Sequence, residues 1–424
     1  MGPKVAVIGA GCSGITAIKN LKEAGVQHIM AYEQNDQIGG NWVFSVRESH
    51  SSVCETTHII SSKNLSAYRD FPMPEDYPDY PSHQQVLAYF KAYAKKFEVE
   101  QHIRFNTRVG SIEPIADQRW AITTEQGDRE EYDFVLVANG HHSVPNHPDL
   151  PGNFSGKYLH SHSYKTNQPF AGKNILVIGA GNSGCDCAVE ISRVAKRVAI
   201  SIRSPQYIIP KFMLGKPTDT FNATMQWIPR FIADPLRKLS LKLNVGRYED
   251  YGLETPPFPV TKIHPTLNSE LLYKIRHGKV HPRKGIANIE GQEVEFTDGT
   301  KESFDTIVAA TGYKITFPFL EADIVNYEDA ERIPLYLRMF HPEHPGLIFI
   351  GLVQPQGAVW PLSDYQSLLA AKYISGKYQL PENLAEKAEQ EADQIARDFH
   401  AAKRHAVEVH YHPFLRKLKK EAHV

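Results

Sequence analysis

Lys4-Val-Ala-Val-Ile-Gly9-Ala-Gly11-Cys-Ser-Gly14 stands near the start of the chain, and Lys173-Asn-Ile-Leu-Val-Ile-Gly179-Ala-Gly181-Asn-Ser-Gly184 repeats its pattern in the middle. Each copy is an apolar run of strand length, three glycines at fixed spacing, a helical stretch and a second strand, which is the order of a βαβ unit. One Gly-x-Gly-x-x-Gly is a weak signal. Two copies, each after a β-branched strand and before a helix, are a strong one. The first glycine permits the tight turn, the second lets the backbone approach a pyrophosphate, and the third lets helix and strand pack closely. The helix then directs free N–H groups and the positive end of its dipole at that anion.

The ends of the second strands divide the labour. Glu33 lies 19 residues after Gly14, and Arg203 lies 19 after Gly184. A carboxylate at this place accepts hydrogen bonds from ribose hydroxyls, whereas a guanidinium pairs with a 2′-phosphate. The first unit is therefore expected to hold FAD or NAD and the second NADP(H). Gly9, Gly11, Gly14 and Glu33 are the candidate residues of the first site, with Gly40 and Trp42 from a Gly39-Gly40-Asn41-Trp42 turn suited to cover a flavin nucleotide. Gly179, Gly181, Gly184 and Arg203, with Lys211, are those of the second.

The expected fold is α/β, with two Rossmann-like dinucleotide-binding domains: a larger FAD domain and a smaller inserted NADPH domain. Asp133–Ala138 reads as a strand leading out of the first domain through Asn139-Gly140-His141-His142, and Phe304–Ala309 is its counterpart in the second. Leu347–Gly351 returns to the first. The expected boundaries are 1–158 and 317–424 for the FAD domain and 159–316 for the NADPH domain. Ser82-His83-Gln84-Gln85 has capping-box form ahead of Val86, Phe90, Tyr93 and Phe97 at helical spacing. Residues 205–260 are rich in proline and aromatics, with Trp227, Phe231, Leu239 and Leu243 on an expected helix packed on the NADPH domain; a substrate lid and a membrane-facing surface are the other readings. Glu382–His405 reads as a polar helix, and the basic end Leu415–Lys420 as a solvated terminus.

Composition excludes several classes. Lys and Arg number 47 against 48 Asp and Glu, so no global field draws the chain to nucleic acid or anionic lipid. At ~150 residues per domain, 424 residues make two or three domains. No apolar run reaches the ~18 residues of a membrane helix, and with the chain reading as strand from Lys4 no secretory signal is expected. A cytoplasmic protein without a membrane anchor is expected.

Two bound dinucleotides, one of them a flavin, can send electrons to a disulfide, to a quinone or metal, or to oxygen. The four cysteines form no Cys-x-x-Cys pair. Cys12 belongs to the phosphate turn, Cys54 is remote in sequence, and Cys185 and Cys187 lie ~200° apart around a helix. A dithiol route is disfavoured, and the histidines offer no helical metal arrangement.

Phe154-Ser-Gly156-Lys-Tyr-Leu-His160-Ser-His-Ser-Tyr164 lies between the two nucleotide units. Its Phe-x-Gly-x-x-x-His-x-x-x-Tyr pattern resembles the fingerprint of the flavin-containing (class B) monooxygenases. The resemblance covers nearly the whole chain. It includes the Glu33 unit, Gly39–Trp42, Asp70-Phe-Pro-Met-Pro-Glu-Asp-Tyr-Pro78, the second glycine motif, Ala310-Thr-Gly-Tyr313 and Gly351-Leu-Val-Gln-Pro-Gln-Gly357. Tyr164 fits the N- and S-oxygenating branch better than the Baeyer–Villiger branch, which usually has tryptophan there.

The resemblance implies that NADPH reduces FAD, that NADP⁺ stays bound, and that oxygen adds at flavin C4a. The resulting hydroperoxide then oxygenates a soft nucleophile, a tertiary amine or a sulfide. It also implies a homodimer, and it places Gln354 among the cofactor-binding residues. Members typically carry asparagine three positions before Lys63; here Ile60 stands there and has no donor. Ser61, Ser62 and Asn64 are the nearby donors, with Ser61 or Asn64 the candidate replacement; NADP⁺ alone holding the oxygenated flavin is the other reading. Three alternatives remain at this point: an NADPH oxidase or diaphorase releasing hydrogen peroxide, Baeyer–Villiger oxygenation of ketones, and a non-catalytic dinucleotide sensor.

Overall fold

The computed structural model describes residues 2–47, 49–224, 228–328, 330–399 and 406–424. The first third runs β1 (Lys4–Ile8), α1 (Cys12–Glu23), β2 (His28–Tyr32), α2 (His83–Lys96), β3 (Ile103–Arg104) and β4 (Phe134–Val137). There follow β5 (Lys157–His160), β6 (Asn174–Ile178), α3 (Asn182–Ile191), β7 (Arg197–Ser201) and α4 (Arg230–Val245). The last part runs β8 (Val280–Arg283), β9 (Thr306–Ala309), β10 (Leu347–Phe349), α5 (Val359–Ile374), α6 (Leu384–Asp398) and α7 (Tyr411–Glu421).

These elements divide between two units: Met1–Val43, Lys63–Val144 and Lys314–Val424 in the first, Phe44–Ser62 and Pro145–Tyr313 in the second. The first unit holds a five-stranded sheet in the order β10-β4-β1-β2-β3, every neighbouring pair parallel. A parallel strand covered on both faces needs an uninterrupted apolar run, and Val5, Ala6 and Val7 are fully buried at its centre. On one face α1 meets α5 through a polar seam. Thr16 Oγ1 lies 3.0 Å from Ser367 Oγ, and Asn20 Nδ2 donates to Asp364 Oδ1 at 2.9 Å. A three-stranded antiparallel sheet (Val109–Ile115, Arg119–Thr124, Arg129–Tyr132) adds Ile112, Trp120 and Ile122 to the core around Val135 and Val137.

The capping box forms as its spacing predicts: Ser82 Oγ accepts from Gln85 N, and Gln85 Oε1 accepts from Ser82 N. Val86, Phe90 and Tyr93 of α2 are buried. The chain terminus differs from expectation. Rather than a solvated end, α7 buries Tyr411, Phe414 and Leu418, and the Glu408–Val409 strand before it pairs in parallel with Gln354–Pro355. Lysines on the outer face of α7 mask, in sequence, an apolar stripe on its inner one. The helix expected over Glu382–His405 is α6; residues 400–405 lie outside those described.

The second unit holds a five-stranded parallel sheet in the order β5-β9-β6-β7-β8. Its chain crossings fall at 144/145 and 313/314, not at the expected 158/159 and 316/317. A boundary at 158 would cut β5, which pairs with β9 from Lys157↔Thr306 to His160↔Ala309. Phe44–Ser62 belongs here as well, against expectation. Glu55 N donates to Lys165 O at 2.9 Å, Lys165 Nζ donates to Ser51 O at 2.6 Å, and Cys54 packs on the core with Tyr164 and Cys187. Helix α4 buries Ala233 and Val245 but leaves Leu239 and Leu243 at 53% and 77% exposure, so its packing is less complete than expected. Trp227 lies outside the described residues.

Candidate functional site

In the first unit Gly9 follows β1 with φ +100°, and a Cβ on it would lie 2.8 Å from Ala138 O, just past β4. The strand order reverses between β1 and β4, so the glycine turn opens into the crevice at the carboxyl ends of these strands. A Cβ on Gly14 would lie 1.9 Å from Gly9 O, which makes alanine impossible without moving the helix. Gly11 is the N-cap of α1. No side chain caps the helix, and its first turn carries no acidic residue. Gly39 N donates to Ala10 O at 3.2 Å, and a Cβ on Gly40 would lie 3.0 Å from Gly11 Cα, so the Gly39–Trp42 turn runs against the glycine turn.

Glu33, one residue past β2, is buried at 4% exposure. Its Oε2 accepts from Ala10 N at 2.7 Å; its Oε1 accepts from Asn35 N at 2.9 Å and from Asn35 Nδ2 at 2.6 Å. A carboxylate has about four lone-pair sites, so acceptor capacity is left for a ligand hydroxyl. Trp42 is half-buried, edge-on to Trp360 at 5.5 Å between ring centroids. Trp360 packs in turn on Phe90 at 4.9 Å and is a core residue.

Gln354 is half-buried past β10, its N–H donating to Val407 O at 2.7 Å. Its Oε1 lies 3.5 Å from His141 Nε2, and burial lowers the His141 imidazole below its ordinary range. Two residues were missed by sequence reasoning. His141 stands out in the sequence only as part of a crossover. Gly351 has φ +80° and a Cβ there would lie 2.2 Å from Ser13 Oγ, so it lets the first turn of α1 approach β10. A glycine directly after an apolar strand was the available signal.

The second turn repeats the first. Gly179 has φ +100° with Ala310 O 2.6 Å from its Cβ position, and Gly184 would place a Cβ 2.0 Å from Gly179 O. Gly181 caps α3 with no side-chain cap and no acid in the first turn, and its Cβ position has nothing within 4 Å. Thr266 Oγ1 donates to Ala180 O at 2.7 Å and Leu267 N donates to Asn182 Oδ1 at 2.9 Å, which steadies the turn. Two uncapped helix starts, the second with an open cradle where a side chain would stand, fit pyrophosphate-bearing ligands.

Arg203 lies two residues past β7, exposed, with no hydrogen bond or ion pair to any described residue. Lys211 is half-buried and acts electrostatically on Asp186 of α3, whose carboxyl burial pushes up to about 6 while Lys211 and Asn268 Nδ2 pull it back. Ser61 is buried and belongs to the Phe44–Ser62 segment of the second unit; Asn64 is exposed on the Lys63–Ser66 turn of helix in the first. Ile60 is half-buried.

His160 and Tyr164 of the fingerprint are buried. Tyr164 packs in the core of the second unit beside Phe170. His160 is buried, its Nδ1 accepting from His162 N at 3.1 Å. Burial, with His147 and His162 nearby, lowers its pKa to about 4. Among the described residues no group of His, Cys, Asp and Glu could hold a metal ion, and no helix is long and apolar enough to cross a membrane.

Residues 2–424 match the family model described as flavin-binding monooxygenase-like. The chain is 34% identical to mouse (Mus musculus) flavin-containing monooxygenase 5 over 96% of its own length and 80% of that protein's. It is 35% identical to rabbit (Oryctolagus cuniculus) dimethylaniline monooxygenase [N-oxide-forming] 2 over 90% and 75%. The fold is shared with the S-allyl-L-cysteine S-oxygenase of Allium sativum, at TM-score 0.75 and 23% identity, over 100% of this chain and 89% of that one.

Proposed function

The chain belongs to the flavin-binding monooxygenase-like family, and from that premise we propose an FAD- and NADPH-dependent monooxygenase that converts tertiary amines to N-oxides and sulfides to S-oxides. The observation that carries the reading is the contrast between two equivalent turns: a buried, tied Glu33 beside one and an exposed Arg203, without a partner among the described residues, beside the other. The first unit holds FAD, with Gly9, Gly11 and Gly14 admitting the pyrophosphate, Glu33 taking ribose hydroxyls, and Gly40, Trp42 and Gln354 covering the nucleotide. The second unit holds NADPH, with Gly179, Gly181 and Gly184 at the pyrophosphate, Arg203 at the 2′-phosphate and Lys211 nearby.

Bound flavin supplies the activation of oxygen; the protein binds, orients and excludes water. This division explains why no nucleophile–base pair stands out. Ser61 or Asn64 donates the hydrogen bond that Ile60 cannot. A cytoplasmic homodimer belongs to the same reading.

The test is a balance of products. With NADPH, ¹⁸O₂ and N,N-dimethylaniline, each NADPH consumed should yield one N-oxide carrying one ¹⁸O, the second oxygen leaving as water. Ile60 favours one other reading, an NADPH oxidase. Hydrogen peroxide equal to the NADPH consumed, with no N-oxide or S-oxide, would establish that instead.

A further inference from the structure

The exposed Arg203 has a neighbour that its own motif does not reveal. Strands β7 and β8 pair in parallel from Val198↔Val280 to Ser201↔Arg283. The pairing continues past their ends, because Ile202 N donates to Arg283 O at 2.9 Å and Ser201 Oγ donates to Lys284 O at 2.8 Å. Arg203 therefore lies beside Lys284-Gly285, and a Cβ on Gly285 would lie 3.6 Å from Arg203 Cγ. A small cleft of about 80 Å³, open to solvent, runs from these strand ends, lined among others by Gln206, Leu253, Glu254, Arg283 and Lys284.

The charges of this cleft are unequally committed. Arg283 pairs with Glu302, which Arg197 also holds. Asp298 accepts from Thr300 N at 3.0 Å and Thr300 Oγ1 at 2.6 Å. Lys284 Nζ is paired with Glu254, both side chains substantially exposed. Arg203, which stands beside the cleft and not in its lining, has no described partner.

We propose that Glu254 is a specificity-determining residue for the nicotinamide dinucleotide, because its ion pair with Lys284 occupies the position from which a second cation would join Arg203 on a 2′-phosphate. The inference rests on the reading of Arg203 given above. A 2′-phosphate seated on Arg203 recruits Lys284 only by displacing Glu254, and then meets that carboxylate as a like charge. A 2′-hydroxyl instead donates a hydrogen bond to it. Glu254 thus narrows the margin by which the 2′-phosphate is preferred. The pair is exposed, so its displacement costs little and the effect is graded.

Calorimetric titration of the full-length protein at low salt with 2′,5′-ADP and with 5′-AMP tests this. Glu254→Gln should tighten 2′,5′-ADP about fivefold while 5′-AMP does not tighten, and Lys284→Ala should weaken 2′,5′-ADP by about as much. In the Lys284→Ala background the gain from Glu254→Gln should shrink. Unchanged or weaker 2′,5′-ADP binding in Glu254→Gln, with Arg203→Ala still impairing it, overturns the role of Glu254 alone. Equal binding of 2′,5′-ADP by wild type and Arg203→Ala overturns the assignment of the 2′-phosphate site, and the role of Glu254 with it.

Discussion

Glu33 Oε2 accepts a hydrogen bond from Ala10 N at 2.7 Å, which ties the end of β2 to the middle of the first glycine turn. The residue that would read the ribose also holds the turn that would read the pyrophosphate. Glu33→Ala should lose both functions and weaken FAD by on the order of thirtyfold, the equivalent of about 2 kcal/mol for a charge-assisted contact. The ratio of flavin to protein absorbance after purification, followed by FAD titration of the apoprotein, measures this. Full flavin occupancy in the variant would place FAD elsewhere.

Gly181 and Gly184 look alike in sequence and should behave differently. Alanine at 184 drives a methyl to 2.0 Å from Gly179 O, so Gly184→Ala should lose at least about 2 kcal/mol of stability. Alanine at 181 meets nothing within 4 Å, so Gly181→Ala should stay within about 0.5 kcal/mol of wild type. It should nevertheless bind NADPH at least about tenfold more weakly, because the methyl fills the cradle. Thermal melts and dinucleotide titration on both variants separate the roles; normal NADPH affinity in Gly181→Ala would remove the pyrophosphate from this turn.

Arg203 has no described partner to lose, so Arg203→Ala should leave the melting temperature unmoved. The KM for NADPH should rise roughly thirtyfold, and that for NADH much less. Equal effects on the two would sink the 2′-phosphate assignment.

The buried His160 gives a pH dependence with a definite sign. Its folded pKa of about 4 lies below the ordinary 6.5, so the folded state refuses a proton that the unfolded chain accepts between these values. Above pH 6.5 both states are neutral and stability is complete; as pH falls from 6.5 toward 4, stability drops, by up to about 3 kcal/mol for this residue. His341, also lowered to about 4 by burial, adds in the same direction. His160→Asn should therefore lose less melting temperature than wild type between pH 6.5 and 4.5. A parallel decline in both proteins would refute the buried neutral imidazole.

Ser61→Ala and Asn64→Ala probe the place of Ile60. If either side chain supplies the donor that Ile60 lacks, its loss should raise the fraction of NADPH electrons ending in hydrogen peroxide by at least about tenfold. Peroxide and N-oxide measured together on each variant decide it. Unchanged leakage in both would exclude these two residues.

Much of the candidate site was legible because its parts are close along the chain. Gly9, Gly11, Gly14 and Glu33 all fall in one βαβ unit, where spacing sets geometry, and the Ser82–Gln85 box depends on four consecutive residues. Residues whose partners are remote were not legible. Phe44–Ser62 carries no mark of the second unit, because its hydrogen bonds go to Lys165 and its packing to Tyr164 and Cys187. The pairing of Lys284 with Glu254 likewise needs β8 to lie beside β7.

Local pattern by itself determined two parallel sheets, two uncapped helix starts and opposite charges beside them, since strand alternation, glycine φ and helix spacing act over a few residues. Tertiary structure alone decided which unit claims residues 44–62, that the basic end docks through Tyr411, Phe414 and Leu418, and that Arg203 gains Gly285 as a neighbour. Those outcomes depend on which apolar faces and strand edges meet, and such a choice belongs to the packed chain as a whole.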